Sequence, residues 1–241
     1  MISHRQHQIN PYDATIPTWS QLINGVSSIV RADVTTGKRM IVTDSVVTLK
    51  RFSIGLAVSV ISAIVLGLLM GSYAAIESLF AAPLSILAKV PPTAVIALFF
   101  ALAGIGDMLF ILIIVFGILP SLALSVHLSI KQIPDELINK ASTLGASQTE
   151  IIWNVIVRCI LPDIIDAIRL QIGPAIVFLI AAELLLGGDC IGRRIFLTTK
   201  TLDMSVVYPY LGLLAGFGFS MDYLLRRLQR WLCPWRTKDE G

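Results

Sequence analysis

Glu183 is the residue whose setting most demands an explanation, because it stands near the middle of residues 172–188, a run otherwise apolar. An unpaired carboxylate at such a site costs about 2.5–3.5 kcal/mol on insertion scales, so Glu183 must face the protein interior or a wet path. Two roles stay open for it: lining or gating the path of a polar solute, or bonding to a neighbouring helix to fix packing. Asp107, beside Gly106 and close to Gly104, is expected as an exposed charge at an outer helix end. Enzymatic chemistry has little to work with. His4, His7 and His127 are scattered, so no catalytic residue is assigned and an intramembrane enzyme is the weaker alternative. Cys159, Cys190 and Cys233 show no C-x-x-C spacing, so neither a metal site nor a disulfide framework is indicated. A phosphate loop is absent too: Gly37-Lys38 is followed by Arg39, and Ala32 stands where the motif needs its first glycine. The chain is therefore not expected to hydrolyse nucleotide itself.

The elements that must position these groups are written in the composition. Of 241 residues 55% are apolar and 15% charged, against about 45–50% and 25% in ordinary soluble domains. From Phe52 to Ile130 the charged residues are Glu77, Lys89 and Asp107 alone, too few for a water-facing surface of that length. The net charge of +3 is too small and too dispersed for a nucleic-acid partner. Crossing about 30 Å of hydrocarbon takes roughly 20 mostly apolar residues. Residues 54–73, 90–106, 108–126, 172–188 and 206–225 meet or approach that length, the second extendable back through 83–88. Continuous apolar runs favour helices over an alternating β-barrel. The expectation is an all-α integral membrane protein with about five transmembrane helices. Gly67 with Gly71, and Gly212 with Gly216, form small-xxx-small pairs expected at helix packing faces, within or between subunits.

The polar stretches frame these spans. Residues 1–50 hold no run long enough to span and no signal-peptide pattern. Residues 18–29, after Pro17, are expected to form a surface helix along the bilayer or on its neighbours. Residues 129–169 carry nine charges and are too polar to span. Pro134-Asp135-Glu136 starts a helix with acidic groups in its first turn, which should run to about Leu144. Gly145 breaks it, and Ser147 with Glu150 three residues on is a capping box for the next helix.

The segment NKASTLGASQTEIIWNVIVRCILPDIIDAIRLQIG resembles the cytoplasmic EAA loop of the membrane subunits of binding-protein-dependent ABC importers. Ala141, Leu144, Gly145, Ala146, Ser147, Pro162 and Arg169 stand in the family's register, while Arg158 replaces the usual first proline. SVVTLKRFSIGLAVSVISAIVLGLLMG and PLSILAKVPPTAVIALFFALAGIGD resemble the family's conserved spans, and AAELLLGGDCIG is similar to its nitrate, sulfonate and taurine subgroup. The resemblance covers about residues 45–225. It implies a permease subunit with a coupling helix, so that Ala141, Leu144, Gly145, Ala146, Ser147 and Pro162 belong to an ATPase-coupling loop between the third and fourth spans. Ala141 and Gly145, four apart, would offer a small-residue face for close docking. The organisation implied is a non-spanning segment 1–50, a transporter domain 51–225 and a basic cytoplasmic tail 226–241.

The resemblance also implies partners: a separate ABC ATPase subunit that binds the ATP, a periplasmic or extracellular solute-binding protein, a second permease copy or paralogue, and membrane lipid. It implies a multi-pass protein of the bacterial inner membrane, working by alternating access on a small anion such as nitrate, a sulfonate or taurine. The chain itself needs no cofactor. An ion-driven secondary transporter is the other alternative, which discontinuous charged helices would favour. A cytoplasmic 129–169 puts the tail inside with Arg226, Arg227, Arg230, Arg236 and Lys238, as positive-inside requires. It also puts the N-terminal segment, with three more basic than acidic groups up to Arg51, on the other side, against that rule.

Overall fold

A computed structural model describes residues 17–31, 39–104 and 106–235. His4, His7, Arg5, Asp13, Ala32, Asp33, Gly37, Lys38, Arg236 and Lys238 lie outside them. The described residues are helical throughout their regular structure: α1 Trp19–Val30, α2 Met40–Ser72, α3 Ala74–Leu87, α4 Ile96–Ala103, α5 Asp107–Lys131, α6 Asp135–Thr143, α7 Gln148–Leu186, α8 Ile191–Lys200 and α9 Met204–Leu232. Helices α2, α5, α7 and α9 are each long and apolar enough to cross a membrane. The bent pair Ala74–Leu87 and Pro92–Ala103, which turns through 88°, brings the number of candidate spans to five when its two arms are taken as one span.

Side-chain contacts order these crossings. Arg51 meets Asp107 at one end of α2, and Gly71 meets Ile130 at the other, so α2 and α5 run parallel. Ile151 and Ile156 pack with Ile130, while Glu183 reaches Thr48 and Arg51, so α7 runs back. Helix α9 returns again, with Tyr210 on Asp44 at the far end and Gln229 on Pro162 at the loop end. Glu77 at the start of α3 bonds Lys131, and α4 leads to Gly106, so the bent pair connects the two ends. The 130s loop and the end of α9 therefore share one side, with α1 and the start of α2 on the other.

Helix α5 forms the centre, with Leu109, Phe110, Ile113, Ile114, Ile118 and Leu122 all buried. Glycines of α2 let it approach. A Cβ on Gly55 would fall 2.7 Å from Ile114 Cδ1, and one on Gly67 would fall 2.6 Å from Val126 Cβ. Gly67 and Gly71 are thus packing positions inside the subunit. Gly212 and Gly216 are not: a Cβ on either meets nothing within 4 Å.

Several boundaries depart from the expected ones. The first long helix begins at Met40, ahead of the apolar run 54–73, and its early turns are ordered because Asp44, Thr48 and Arg51 are buried and partnered. The second expected span breaks at Pro91-Pro92, which lack amide donors and bias the preceding residue away from helix. Residues 129–131 complete α5 and 148–169 belong to α7, so the connecting loop is shorter than 129–169. Within α7, Ile151–Ile156 is a π-helical stretch; Arg158 follows it in unbroken helix. Helix α8 follows α7 where the sequence pattern predicts no element, and α9 takes in Arg226, Arg227 and Arg230, the start of the expected tail.

Candidate functional site

The loop between α5 and α7 is built from strong local signals. Pro134, with extended backbone, precedes α6, and Asp135 and Glu136 occupy its first turn, where carboxylates oppose the helix dipole. At its end the Ala146 N–H bonds Ala141 O at 3.1 Å and the Gly145 N–H bonds Ser142 O at 3.0 Å, a Schellman closure. It needs a left-handed residue, and Gly145 has φ +85°. Ser147 then caps α7: Glu150 N donates to Ser147 Oγ at 3.4 Å, and Ser147 N donates to Glu150 Oε2 at 2.8 Å. The two caps hold the turn at a set angle between α6 and α7.

The faces of this loop differ from the small-residue face expected for Ala141 and Gly145. Ala141 and Ala146 pack inward with Ile138 against Ile151, Ile156 and Ile160. Gly145 lies beyond the helix end, so its role here is conformational. The outward surface is instead Glu136, Asn139, Lys140, Thr143 and Leu144, and Leu144 is 88% exposed. Pro162 sits buried in α7, its carbonyl accepting from Gln229 Nε2 at 3.1 Å. Arg169 bridges Asp166 at 2.7 Å and Asp222 at 2.8 Å, and Asp222 also holds Arg226. Thus α7, which leaves the loop directly, is tied along its length to α9.

At the opposite end lies a buried ionic cluster. Glu183 has no exposed surface. Its carboxylate accepts from Thr48 Oγ1 at 2.9 and 3.0 Å, from Arg51 Nη1 at 3.1 Å and from Gly192 N at 3.1 Å. Thr48 Oγ1 in turn accepts from Ile191 N at 3.1 Å. Gly192 and Ile191 open α8, whose N-cap Cys190 supplies no side-chain cap, so Glu183 acts as the anionic cap of α8. Arg51 stretches between Glu183 and Asp107, with its guanidinium 4.0 Å over the Phe110 ring. Lys50 completes Asp107 at 3.0 Å. Beside this set Asp44 accepts from Arg194 Nε at 2.9 Å and Tyr210 Oη at 2.8 Å. Asp44 also holds the Arg194 guanidinium above its ordinary pKa, and burial pushes the Cys190 thiol up to about 11.

Asp107 is therefore half exposed but paired. Lys50 and Arg51, two of the basic groups that opposed the positive-inside rule, are tied to carboxylates. Sequence reasoning missed Asp44, Thr48, Arg194 and Tyr210. The signal available was the spacing of Asp44, Thr48 and Arg51 at i, i+4 and i+7, which marks one helix face. Cys159 and Cys190 are free thiols, and among the described residues no group of His, Cys, Asp and Glu is placed to hold a metal.

Residues 63–233 match the family described as binding-protein-dependent transport system inner membrane component. The chain is 30% identical over 188 residues to a taurine transport system permease protein of Escherichia coli, covering 78% of this chain and 68% of that one. It is 27% identical to a putative aliphatic sulfonates transport permease protein of Bacillus subtilis, covering 81% and 71%. Against a nitrate import permease protein of Synechocystis it is 23% identical, covering 79% and 70%. Its fold is similar to a chain of the MetNI methionine ABC transporter in an inward-facing conformation, with TM-score 0.70 and 18% identity, over 80% of this chain and 96% of that one.

Proposed function

The chain belongs to the family of binding-protein-dependent transport system inner membrane components, and on that premise we propose that it carries a small anion through an ATP-driven importer. The observation that carries the reading is the loop: a short helix closed at both ends, projecting an exposed Leu144 at one end of the bundle. A groove on a separate ATPase subunit receives this helix. That partner binds and hydrolyses ATP, the loop lies in the cytoplasm, and the end of α9 lies there with it. A solute-binding protein delivers cargo at the opposite end. Two copies, or this chain and a close relative, enclose the path and alternate its opening between the two sides.

The anion class is supported by the AAELLLGG stretch and by relatives whose names specify taurine, aliphatic sulfonates and nitrate, all bearing oxyanion groups. Rigid transmission is supported by the chain of contacts from the capped turn through α7 to Asp222.

Leu144→Asp tests the reading without touching backbone geometry, whereas a bulky residue at Gly145 would also strain a positive φ. Burying a leucine contributes about 1.5–3 kcal/mol, so its loss should weaken the ATPase complex by roughly tenfold to a hundredfold. The tagged chain is co-expressed with candidate ATPase subunits and purified in detergent. The variant should keep its Tm but lose ATPase retention and coupled hydrolysis. Retention and hydrolysis equal to the wild type would refute docking through this face.

A further inference from the structure

The last turns of α9 carry a surface that the importer reading leaves unused. At about 100° per residue, Tyr223, Arg227, Arg230 and Trp231 fall within roughly 100° of arc. All four are exposed, Trp231 by 78%. Arg226 is held by Asp222, but Arg227 and Arg230 have no ion-pair partner among the described residues. One and two turns closer to the middle of α9, Leu224 and Phe219 are exposed on the adjoining surface. Along the helix Phe219, Tyr223 and Leu224 thus precede Arg227 and Arg230, with Trp231 beside the second arginine, so apolar and aromatic groups lie on the bilayer side of the cations, as in a leaflet read from acyl chains to phosphates.

We infer that this face is a binding site for an anionic lipid. Arg227 and Arg230, three apart and therefore neighbours, converge on one headgroup phosphate with planar donor forks. Trp231 lies beside it at the headgroup level, and Tyr223, two turns nearer the middle of α9, lies with Leu224 and Phe219 along an acyl chain. Charge complementarity selects lipid over a second copy of this chain, whose same face would bring two unpaired arginine pairs together. The site adjoins Asp222, which links Arg226 to Arg169 of α7, so an occupying lipid sits one residue from the contacts that brace the helix leaving the loop.

The full chain with Trp19→Phe, Trp153→Phe and Trp235→Phe retains Trp231 as its sole tryptophan. It is placed in phosphatidylcholine bilayers containing a minor fraction of phosphatidylglycerol, with bromine on the chains of one lipid or the other. Brominated phosphatidylglycerol should quench Trp231 well beyond its mole fraction, reflecting an enrichment of roughly tenfold or more. Arg227→Gln with Arg230→Gln should abolish the excess, and Arg227→Lys with Arg230→Lys, which keeps the charge and serves as the folding control, should retain most of it. Equal quenching by both lipids at equal fraction would overturn the proposal, as would an excess that survives the double glutamine variant. Failure of either lipid to quench would mean that protein, a second copy or another subunit, covers the face, and would overturn it also.

Discussion

Replacing Glu183 by alanine removes the one acceptor shared by Thr48, Arg51 and Gly192. The three donors stay where packing holds them, in a site whose carboxylate has no exposed surface. Removing one partner of a buried ion pair costs about 3–5 kcal/mol; here Arg51 keeps Asp107 in either variant, and in the alanine variant Thr48 Oγ1 and Gly192 N also lose their acceptor. Glutamine keeps an amide oxygen for Gly192 N or Thr48 and loses the charge opposite Arg51, which retains Asp107; that loss is about 1.5–3 kcal/mol. At about 2–4 °C per kcal/mol for a chain of this size, Tm should fall by roughly 6–20 °C for Glu183→Ala and by roughly 3–12 °C for Glu183→Gln. Thermal unfolding in detergent, followed by circular dichroism, reads both. Amide exchange at Ile191 and Gly192 should quicken in the alanine variant, since the cap of α8 is gone. An alanine variant within 2 °C of the wild type would refute the account of Glu183 as the group that fastens α8 to α2. Equal losses for alanine and glutamine would refute the part given to the hydrogen bonds.

Two further outcomes follow from packing and burial. Gly67→Leu should unfold or severely destabilise the protein, because even a Cβ there would sit 2.6 Å from Val126, whereas Gly216→Ala should leave Tm of the detergent-solubilised subunit within about 2 °C. A small maleimide should label exposed Cys159 at pH 8 and spare buried Cys190. The Cys190 thiol, raised to about 11, stays protonated even at pH 9.5, so raising pH should not restore labelling until detergent denaturation exposes it.

The loop was the most legible part of the molecule because its signals are local. Pro134-Asp135-Glu136, the glycine at 145 and the Ser147–Glu150 box each act within four residues, and each stands where the sequence placed it. The capping box of Thr18 with Gln21 likewise starts α1 beside the expected position. Ala141 and Gly145 do not share a helix face: spacing of four implies one only if the helix continues, and Gly145 ends it. The start of α2 is hidden in the sequence for a related reason. Asp44, Thr48 and Arg51 read as polar residues ahead of a span, since nothing near them in sequence reveals Glu183, Arg194 or Tyr210 as partners.

The amino-acid order alone determined that this is a helical membrane protein of about five crossings with a capped helix on one loop. Those properties depend on hydrophobic length and on hydrogen bonds between close neighbours along the chain. Only the tertiary structure decided which charges are active surfaces and which are internal ties. The contacts of Thr48 and Arg51 with Glu183 span more than 130 positions, and that of Asp44 with Tyr210 spans 166. In an apolar surrounding a charge is costly or structural according to its partner, and the partner is brought to it only by the packing of separate helices.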